Sequence, residues 1–342
     1  MNHHSYQEIR YSYQSLKQTF DTIVSNKEWL YAIFLDRNDI VFLGCGASYW
    51  ASVSGAAIMQ KKLGKKITLL KAADVVMSED NYKFLYDSPL FIVPSRSGQS
   101  KETLQATEIL KKAYPDHRVL SITMFENNPL MKLSDVSISL PWSEEVSVCS
   151  TRSFNNIYVT MLLIAMILKG EDLGEFDKFF AMAETIYGKL DACARDVVEK
   201  MENPQIVTLG AGVQYGAVIA GAYILVEMAQ WMSSFYQTLE YRHGPIVTAK
   251  EGSWIFVSSL NEANVDLENG LIKGILAQGG HVVLFGRDQD LDGTINVKIP
   301  QFSEELRGSL FTTLMQMIAY HFSLKRGLNP DKPGDLNRFI TY

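Results

Sequence analysis

The stretch Pro89-Leu90-Phe91-Ile92-Val93-Pro94-Ser95-Arg96-Ser97-Gly98-Gln99-Ser100, running on into Lys101 to Ala113, decides how this chain folds. Its first part is a short continuous apolar run, the composition of a strand buried on both faces. Lys101 to Ala113 carries apolar residues at helical spacing with charges between them. Three serines and a glycine separate the two. Strand, turn and helix in this order build a parallel sheet covered by helices. A loop in that position lies at the carboxyl edge of the sheet, where open α/β folds hold ligands.

The same rhythm extends in both directions. Residues 5–36 read as helical from their apolar and aromatic spacing. Asp39-Ile40-Val41-Phe42-Leu43 reads as a buried strand ending in Gly44-Cys45-Gly46, with a helix from Ser48 to about Leu63. Further strands are expected at Lys66–Leu70, Val119–Ile122 and Val136–Leu140. Then the pattern repeats. Phe42-Leu43-Gly44-Cys45-Gly46-Ala47-Ser48-Tyr49 resembles Thr208-Leu209-Gly210-Ala211-Gly212-Val213-Gln214-Tyr215, 166 residues later. Strands at Ile255–Ser258 and Val282–Phe285 continue the second copy, and a helical stretch from about Glu175 to Met201 joins the two. The chain is therefore read as α/β, with two tandem doubly wound parallel-sheet domains of the flavodoxin-like type. The expected division is an N-terminal helical segment at 1–37, a first domain at 38–170, a second at 171–326 and a tail at 327–342.

Bulk properties narrow the function. With 342 residues, 47% hydrophobic and 20% charged, the chain has the balance of a globular protein with a sizeable core. A net charge of −6 does not favour nucleic acid or anionic membranes, so an anionic ligand needs a local positive site. Cys45, Cys149 and Cys193 are few, odd in number and without CxxC spacing, which reads as reduced thiols and gives no zinc pattern. The polar start Met1–Tyr6 lacks a signal-peptide core, and the longest apolar run, Met161–Leu168, is too short to span a bilayer. A cytoplasmic protein is expected.

The serine turn suits an anion. A helix start offers unpaired backbone N–H groups and a positive dipole end, which favour phosphate. Ser95, Ser97 and Ser100 add hydroxyl donors, and Gly98 allows close backbone approach. Arg96 can add charge or pair with a carboxylate, and Thr103 stands one turn further on. The plain alternative is a capped helix, for which one serine suffices. Gly44-x-Gly46-x-x-Tyr49 is an incomplete dinucleotide pattern: the third glycine is missing, and Lys71 follows Leu70 where an acid is needed. Walker A spacing is absent too.

Taken in order, four segments carry a resemblance: the turn Gly44–Ser48, the loop Ser95–Ser100, Cys149-Ser150-Thr151-Arg152-Ser153-Phe154, and Glu240-Tyr241-Arg242-His243-Gly244-Pro245. From about residue 38 to its end the chain resembles the tandem sugar isomerase (SIS) domain family. That branch includes the isomerase half of glucosamine-6-phosphate synthase, tagatose-6-phosphate ketose/aldose isomerase, amino-sugar-phosphate deaminases and deglycases of phosphorylated Amadori compounds. The resemblance implies that Ser95, Arg96, Ser97 and Ser100 line a phosphate site, the arginine through its backbone or its side chain. Ser48 would contact the sugar, and Val148 and Ser150 would form a wall. Glu227, sixteen residues before His243 as in the family, would move a proton between C1 and C2 through an enediol-like intermediate, and His243 would help open the ring.

The residue chemistry is compatible with those roles. Glu227 sits among Ile224, Leu225, Val226 and Met228, where burial would raise its pKa toward a useful range for a base. A histidine titrates near neutrality and serves as acid or base. The alternatives are a buried helix glutamate tied to a partner and a satisfied loop histidine.

Departures from the family pattern matter as well. Synthases carry an N-terminal glutaminase with a cysteine nucleophile. Only about 38 residues precede the first strand here, so loss of ammonia is expected rather than its uptake from glutamine. Aligning Pro333–Arg338 with the synthase tail puts Arg338 where a lysine reaches the sugar; arginine forms no Schiff base but donates hydrogen bonds. Val226 likewise replaces a lysine, and Phe339, Ile340 and Tyr342 suggest a docking tail. The second domain has Ser258-Ser259-Leu260-Asn261-Glu262 in place of the serine loop, so binding falls to the first domain and acid–base work to the second.

The resemblance also implies a homodimer with His243 near its interface. No metal and no organic cofactor is expected, since enediol chemistry with a side-chain base needs none. The expected activity is an isomerase or deaminase that converts an amino-sugar 6-phosphate, or an aldose 6-phosphate, to a ketose 6-phosphate. A deglycase of fructosamine 6-phosphates is the alternative enzyme. A non-catalytic sugar-phosphate-binding regulator is the alternative of another class, although the N-terminal stretch is too short and too weakly basic for a DNA-binding helix-turn-helix.

Overall fold

The computed structural model describes residues 3–259 and 265–338. They contain two parallel five-stranded sheets and divide into two compact units. The first unit comprises the described residues of Ser12–Val146 and Arg152–Gly174 together with Asn337 and Arg338. The second comprises those up to Tyr11, Ser147–Thr151 and Glu175–Leu336.

The N-terminal stretch is helical as expected and comprises three helices, α1 (His4–Arg10), α2 (Ser12–Ser25) and α3 (Lys27–Phe34). Tyr11 and Asn26 leave helical geometry at the breaks, with φ −114° and −115°. Asn26 donates from its amide to the Thr22 carbonyl at 2.8 Å, the local bonding by which asparagine competes with helix. The break at Tyr11 lets α1 belong to the second unit and α2 to the first.

In the first unit the order is β1 (Ile40–Gly44), α4 (Gly46–Leu63), β2 (Ile67–Lys71), α5 (Ala72–Met77), β3 (Leu90–Pro94), α6 (Lys101–Ala113), β4 (Arg118–Thr123), α7 (Pro129–Leu133), β5 (Val136–Ser139) and α8 (Arg152–Lys169). The sheet order is β2-β1-β3-β4-β5, all parallel. Every residue of β1 and β3 is buried, which is why these central strands lack alternation in the sequence. Val41, Leu43, Phe91 and Val93 share one core with Ala106 and Leu110 of α6. The buried residues of α6 are Thr103, Ala106, Thr107 and Leu110, one stripe at helical spacing. Successive strand residues point to opposite faces, so Ile40, Phe42 and Ile92 fill the other face.

The second unit takes α9 (Gly174–Lys200) from its second residue onward, then β6 (Gln205–Gly210), α10 (Tyr215–Met228), β7 (Ser233–Gln237), β8 (Ser253–Ser258), α11 (Val265–Ala277), β9 (His281–Phe285), β10 (Ile295–Val297) and α12 (Glu304–Lys325). Its sheet order, β7-β6-β8-β9-β10, repeats the first. The 166-residue offset read from the glycine turns holds as far as β2 and β7, which start at Ile67 and Ser233, and shortens after them, since β3 starts at Leu90 and β8 at Ser253. It also pairs Gly55 of α4 with Gly221 of α10. A Cβ at Gly55 would lie 2.4 Å from Met161 Sδ on α8, and one at Gly221 would lie 2.8 Å from Met315 Cγ on α12. In each copy a glycine admits a methionine from a long buried helix.

Candidate functional site

In both sheets the strand order reverses direction beside the first strand of the unit, the switch point at which ligands bind in such folds. In the first sheet the switch point lies between β1 and β3. The turn Gly44–Ser48 leaves one of these strands and the serine loop leaves the other. Sequence reasoning placed the serine loop at the carboxyl edge of the sheet, and both segments stand there. Thr103 of α6 donates from its hydroxyl to Cys45 Sγ at 3.6 Å, joining the two sides. Ser48 is half-buried on the first turn of α4.

The serine loop is internally bonded. Gly98 N donates to Ser95 Oγ and Gln99 N donates to Ser97 Oγ, each at 3.1 Å. Both serines are nearly buried. A hydroxyl that accepts from a backbone amide keeps its own proton to donate. Ser100 occupies the N-cap of α6, yet its side chain makes no capping bond. The first-turn amides of α6 thus have no side-chain acceptor from the cap, which is the opposite of what a purely capping serine gives.

Gly98 is held from behind. Its φ is +62°, and a Cβ there would lie 2.1 Å from Asn128 Oδ1. Asn128 is 2% exposed and caps α7 by accepting from Met131 N at 3.0 Å. Its amide donates to Thr123 Oγ1 at 3.0 Å and to Phe125 O at 2.6 Å. Leu130 N also donates to Gly98 O at 3.1 Å. A buried asparagine in the β4–α7 connection therefore shapes the loop, a role the sequence did not signal.

Arg96 resolves toward a carboxylate partner. Its Nη1 lies 3.0 Å from Oε2 of Glu145, whose side chain is fully buried. Its Nη2 donates to the Arg338 carbonyl at 2.5 Å. Arg338 itself sits with its guanidinium over the Phe125 ring at 5.5 Å and 3.8 Å from Glu144 Oε1. The stretch expected at the end of the chain thus meets the serine loop within the first unit. Of the tail's apolar residues, Phe339, Ile340 and Tyr342 lie outside the described residues.

The other candidates belong to the second unit. Val148 and Ser150 are half-buried in the segment 147–151, where Val148 N donates to Asp331 O at 3.0 Å. Neighbouring Ser147 donates from its hydroxyl to buried Glu8 of α1. Glu227 stands on the last turn of α10 and is half-buried, not enclosed as expected. The cause is the face it shares. Ile224, Leu225 and Met228 are buried, whereas Tyr223 and Val226 are exposed. His243 is exposed and follows the 3-10 turn Glu240–Arg242, its N–H donating to Glu240 O at 3.0 Å. Tyr241 anchors this loop. It is wholly buried, its hydroxyl lies 3.3 Å from Thr248 Oγ1, and its ring packs on Tyr236.

The second switch point is differently furnished. Gln214, at the position of Ser48 in the repeat, is fully buried. It accepts from the Ser258 hydroxyl and donates to the Glu304 carbonyl at 3.1 Å. Ser259 donates to Glu268, which is paired with Arg287. These polar groups are occupied by one another. The expected contrast at Ser258–Glu262 is described only as far as Ser259, and Leu260, Asn261 and Glu262 lie outside the described residues. Among the described residues no group of His, Cys, Asp and Glu is set to hold a metal ion, and no helix is long and apolar enough to cross a membrane.

Comparison with known proteins follows these features. Residues 33–169 match the SIS domain family. A glutamine–fructose-6-phosphate aminotransferase (isomerizing) of Sulfolobus acidocaldarius is 25% identical over 99% of this chain and 56% of its own length. The chain therefore spans about half the length of the curated relatives it matches. A crystal structure of glucosamine-6-phosphate deaminase from Thermotoga maritima superposes with a TM-score of 0.83 at 25% identity, covering 98% of this chain and 99% of that one. The C-terminal domain of glucosamine-fructose-6-phosphate aminotransferase from Francisella tularensis gives a TM-score of 0.83 at 22% identity over 97% and 99% of the two chains, a likeness of fold.

Proposed function

From a chain that carries a SIS domain and repeats its fold in a second sheet, we infer a phosphosugar isomerase or deaminase. The observation that carries the reading is the serine loop at the β1/β3 switch point. Its hydroxyls keep donors to spare, and the helix behind it has an uncapped N-terminus. A phosphate there accepts from Ser95, Ser97 and Ser100 and from the first amides of α6. Ser48 meets the sugar.

The reaction then needs ring opening and a proton transfer. His243 takes the anomeric hydroxyl proton and protonates the ring oxygen, releasing the open-chain aldose. The Glu227 carboxylate removes the C2 proton, giving an enediolate, or an enolamine anion where C2 carries nitrogen, and a proton passes from the C2 hydroxyl or amine to the C1 oxygen. Return of that proton to C1 yields the ketose phosphate. With an amino sugar the product is first a ketimine, and one water hydrolyses it to ketose phosphate and ammonia. Partial exposure of Glu227 leaves it reachable by substrate. The exposure of His243, beside exposed Val247 and Leu239, supports a homodimer in which a second copy covers this loop.

Glu227→Gln tests the assignment. It preserves shape and removes the base, so turnover falls by at least about a hundredfold while phosphosugar binding persists. Full activity in that variant removes Glu227 from the mechanism.

A further inference from the structure

Arg96 is the charged residue of the serine loop, and it faces inward. Its side chain is 12% exposed and meets the Glu145 carboxylate, which is 0% exposed. Glu145 accepts two further hydrogen bonds, from Ser153 N at 2.9 Å and Ser153 Oγ at 2.6 Å. A buried carboxylate stripped of its cation is strongly destabilising, so Glu145 and Arg96 are committed to each other. The cation is then compensated inside the protein and offers little net charge to a phosphate. Its second branch is spent on the Arg338 carbonyl.

We propose that Glu145 is a positioning residue that turns the Arg96 guanidinium onto the Arg338 carbonyl, making Arg96 a clamp between the serine loop and the C-terminal stretch, not a phosphate ligand. Glu145 fixes the guanidinium plane from one side, with Ser153 at the start of α8 fixing Glu145 in turn. The serine loop and the stretch at Arg338 are thereby set as one piece within the first unit. The part concerning phosphate rests on the phosphosugar reading, whereas the clamp stands without any substrate.

Two measurements separate these parts. The Arg338 carbonyl belongs to the bond trypsin cuts after Arg338, and a protease must draw that carbonyl out of the Arg96 bond. Arg96→Met and Glu145→Gln are expected to speed native-state cleavage after Arg338 by about fivefold or more over the unaltered protein, read by mass spectrometry. Calorimetric titration with inorganic phosphate is expected to give a Kd in Arg96→Met within about twofold of the unaltered protein. Unchanged cleavage overturns the clamp. Phosphate binding weakened about tenfold or more in Arg96→Met overturns the claim that the guanidinium is not a ligand. If the unaltered protein binds no phosphate, the phosphosugar reading of the loop fails and the clamp is judged on cleavage alone. The double variant Arg96→Met/Glu145→Gln leaves no unpaired buried charge, so it carries both readouts if a single variant does not fold.

Discussion

Replacing Gly98 by alanine tests the architecture of the serine loop, and Gly46 supplies its control. Both glycines have positive φ, +62° and +49°, so alanine strains the backbone similarly at each, by about 1–2 kcal/mol. Nothing lies within 4 Å of a Cβ at Gly46. At Gly98 the added methyl falls 2.1 Å from Asn128 Oδ1 and 2.3 Å from Asn128 Cγ. Asn128 cannot simply swing aside, because its three hydrogen bonds hold α7, Thr123 and Phe125. Overpacking of this kind costs about 1–3 kcal/mol, and stranding a buried polar group costs a similar about 1–3 kcal/mol. Gly98→Ala is therefore expected to lose about 2–4 kcal/mol more than Gly46→Ala, the packing and hydrogen-bond parts being incompletely additive. Urea denaturation of both variants at matched slope measures the difference. A gap below about 0.5 kcal/mol refutes the account of Asn128 as the support behind the loop.

Three further outcomes are expected. Ser97→Ala combined with Ser100→Ala raises KM for a phosphosugar more than it lowers kcat; an unchanged KM counts against the phosphate loop. Tyr241→Ala costs about 3–5 kcal/mol in the second unit and lowers kcat by loosening the loop that carries His243; thermal unfolding and turnover together check it, and a variant unaffected in both contradicts the anchoring role. Acid loosens α1. Burial pushes the Asp191 carboxyl up, but hydrogen bonds from His321 and Tyr6 outweigh it and hold the group below the usual carboxylate range. A depressed folded-state pKa gives stability that is present above the unfolded value of about 3.9 and is lost as pH falls through the folded value. Protection of α1 amides from hydrogen exchange should fall below about pH 4 in the native chain, and Asp191→Asn should reduce that pH dependence, the remainder belonging to Asp331, whose carboxyl is pushed up by burial but held below the usual range by hydrogen bonds from Ser5 and His4 of α1; a profile identical in both rules Asp191 out as a cause.

How much of this was legible in the sequence depends on where each interaction's partner lies along the chain. The fully buried strands β1, β3 and β8 announced themselves as apolar runs, and the two glycine turns announced the repeat. β7 did not, because Ser233-Ser234-Phe235-Tyr236-Gln237 is a half-polar edge strand. α12 escaped for the opposite reason: Glu305–Ser323 is buried except for Arg307, so no apolar stripe stands out. The serine loop could be read locally, since its bonds run over two or three residues. Glu145 could not, because its partner Arg96 is 49 residues away. The expected burial of Glu227 failed because composition does not say which side of a helix stays uncovered.

The most direct test of the central claim is a screen of hexose 6-phosphates, amino-sugar 6-phosphates and phosphorylated Amadori compounds against the unaltered protein, following ketose phosphate and ammonia together. The account predicts ketose phosphate from at least one aldose or amino-sugar 6-phosphate, with ammonia in equal amount when the substrate carries an amine. Binding of these phosphates without conversion of any of them would contradict it.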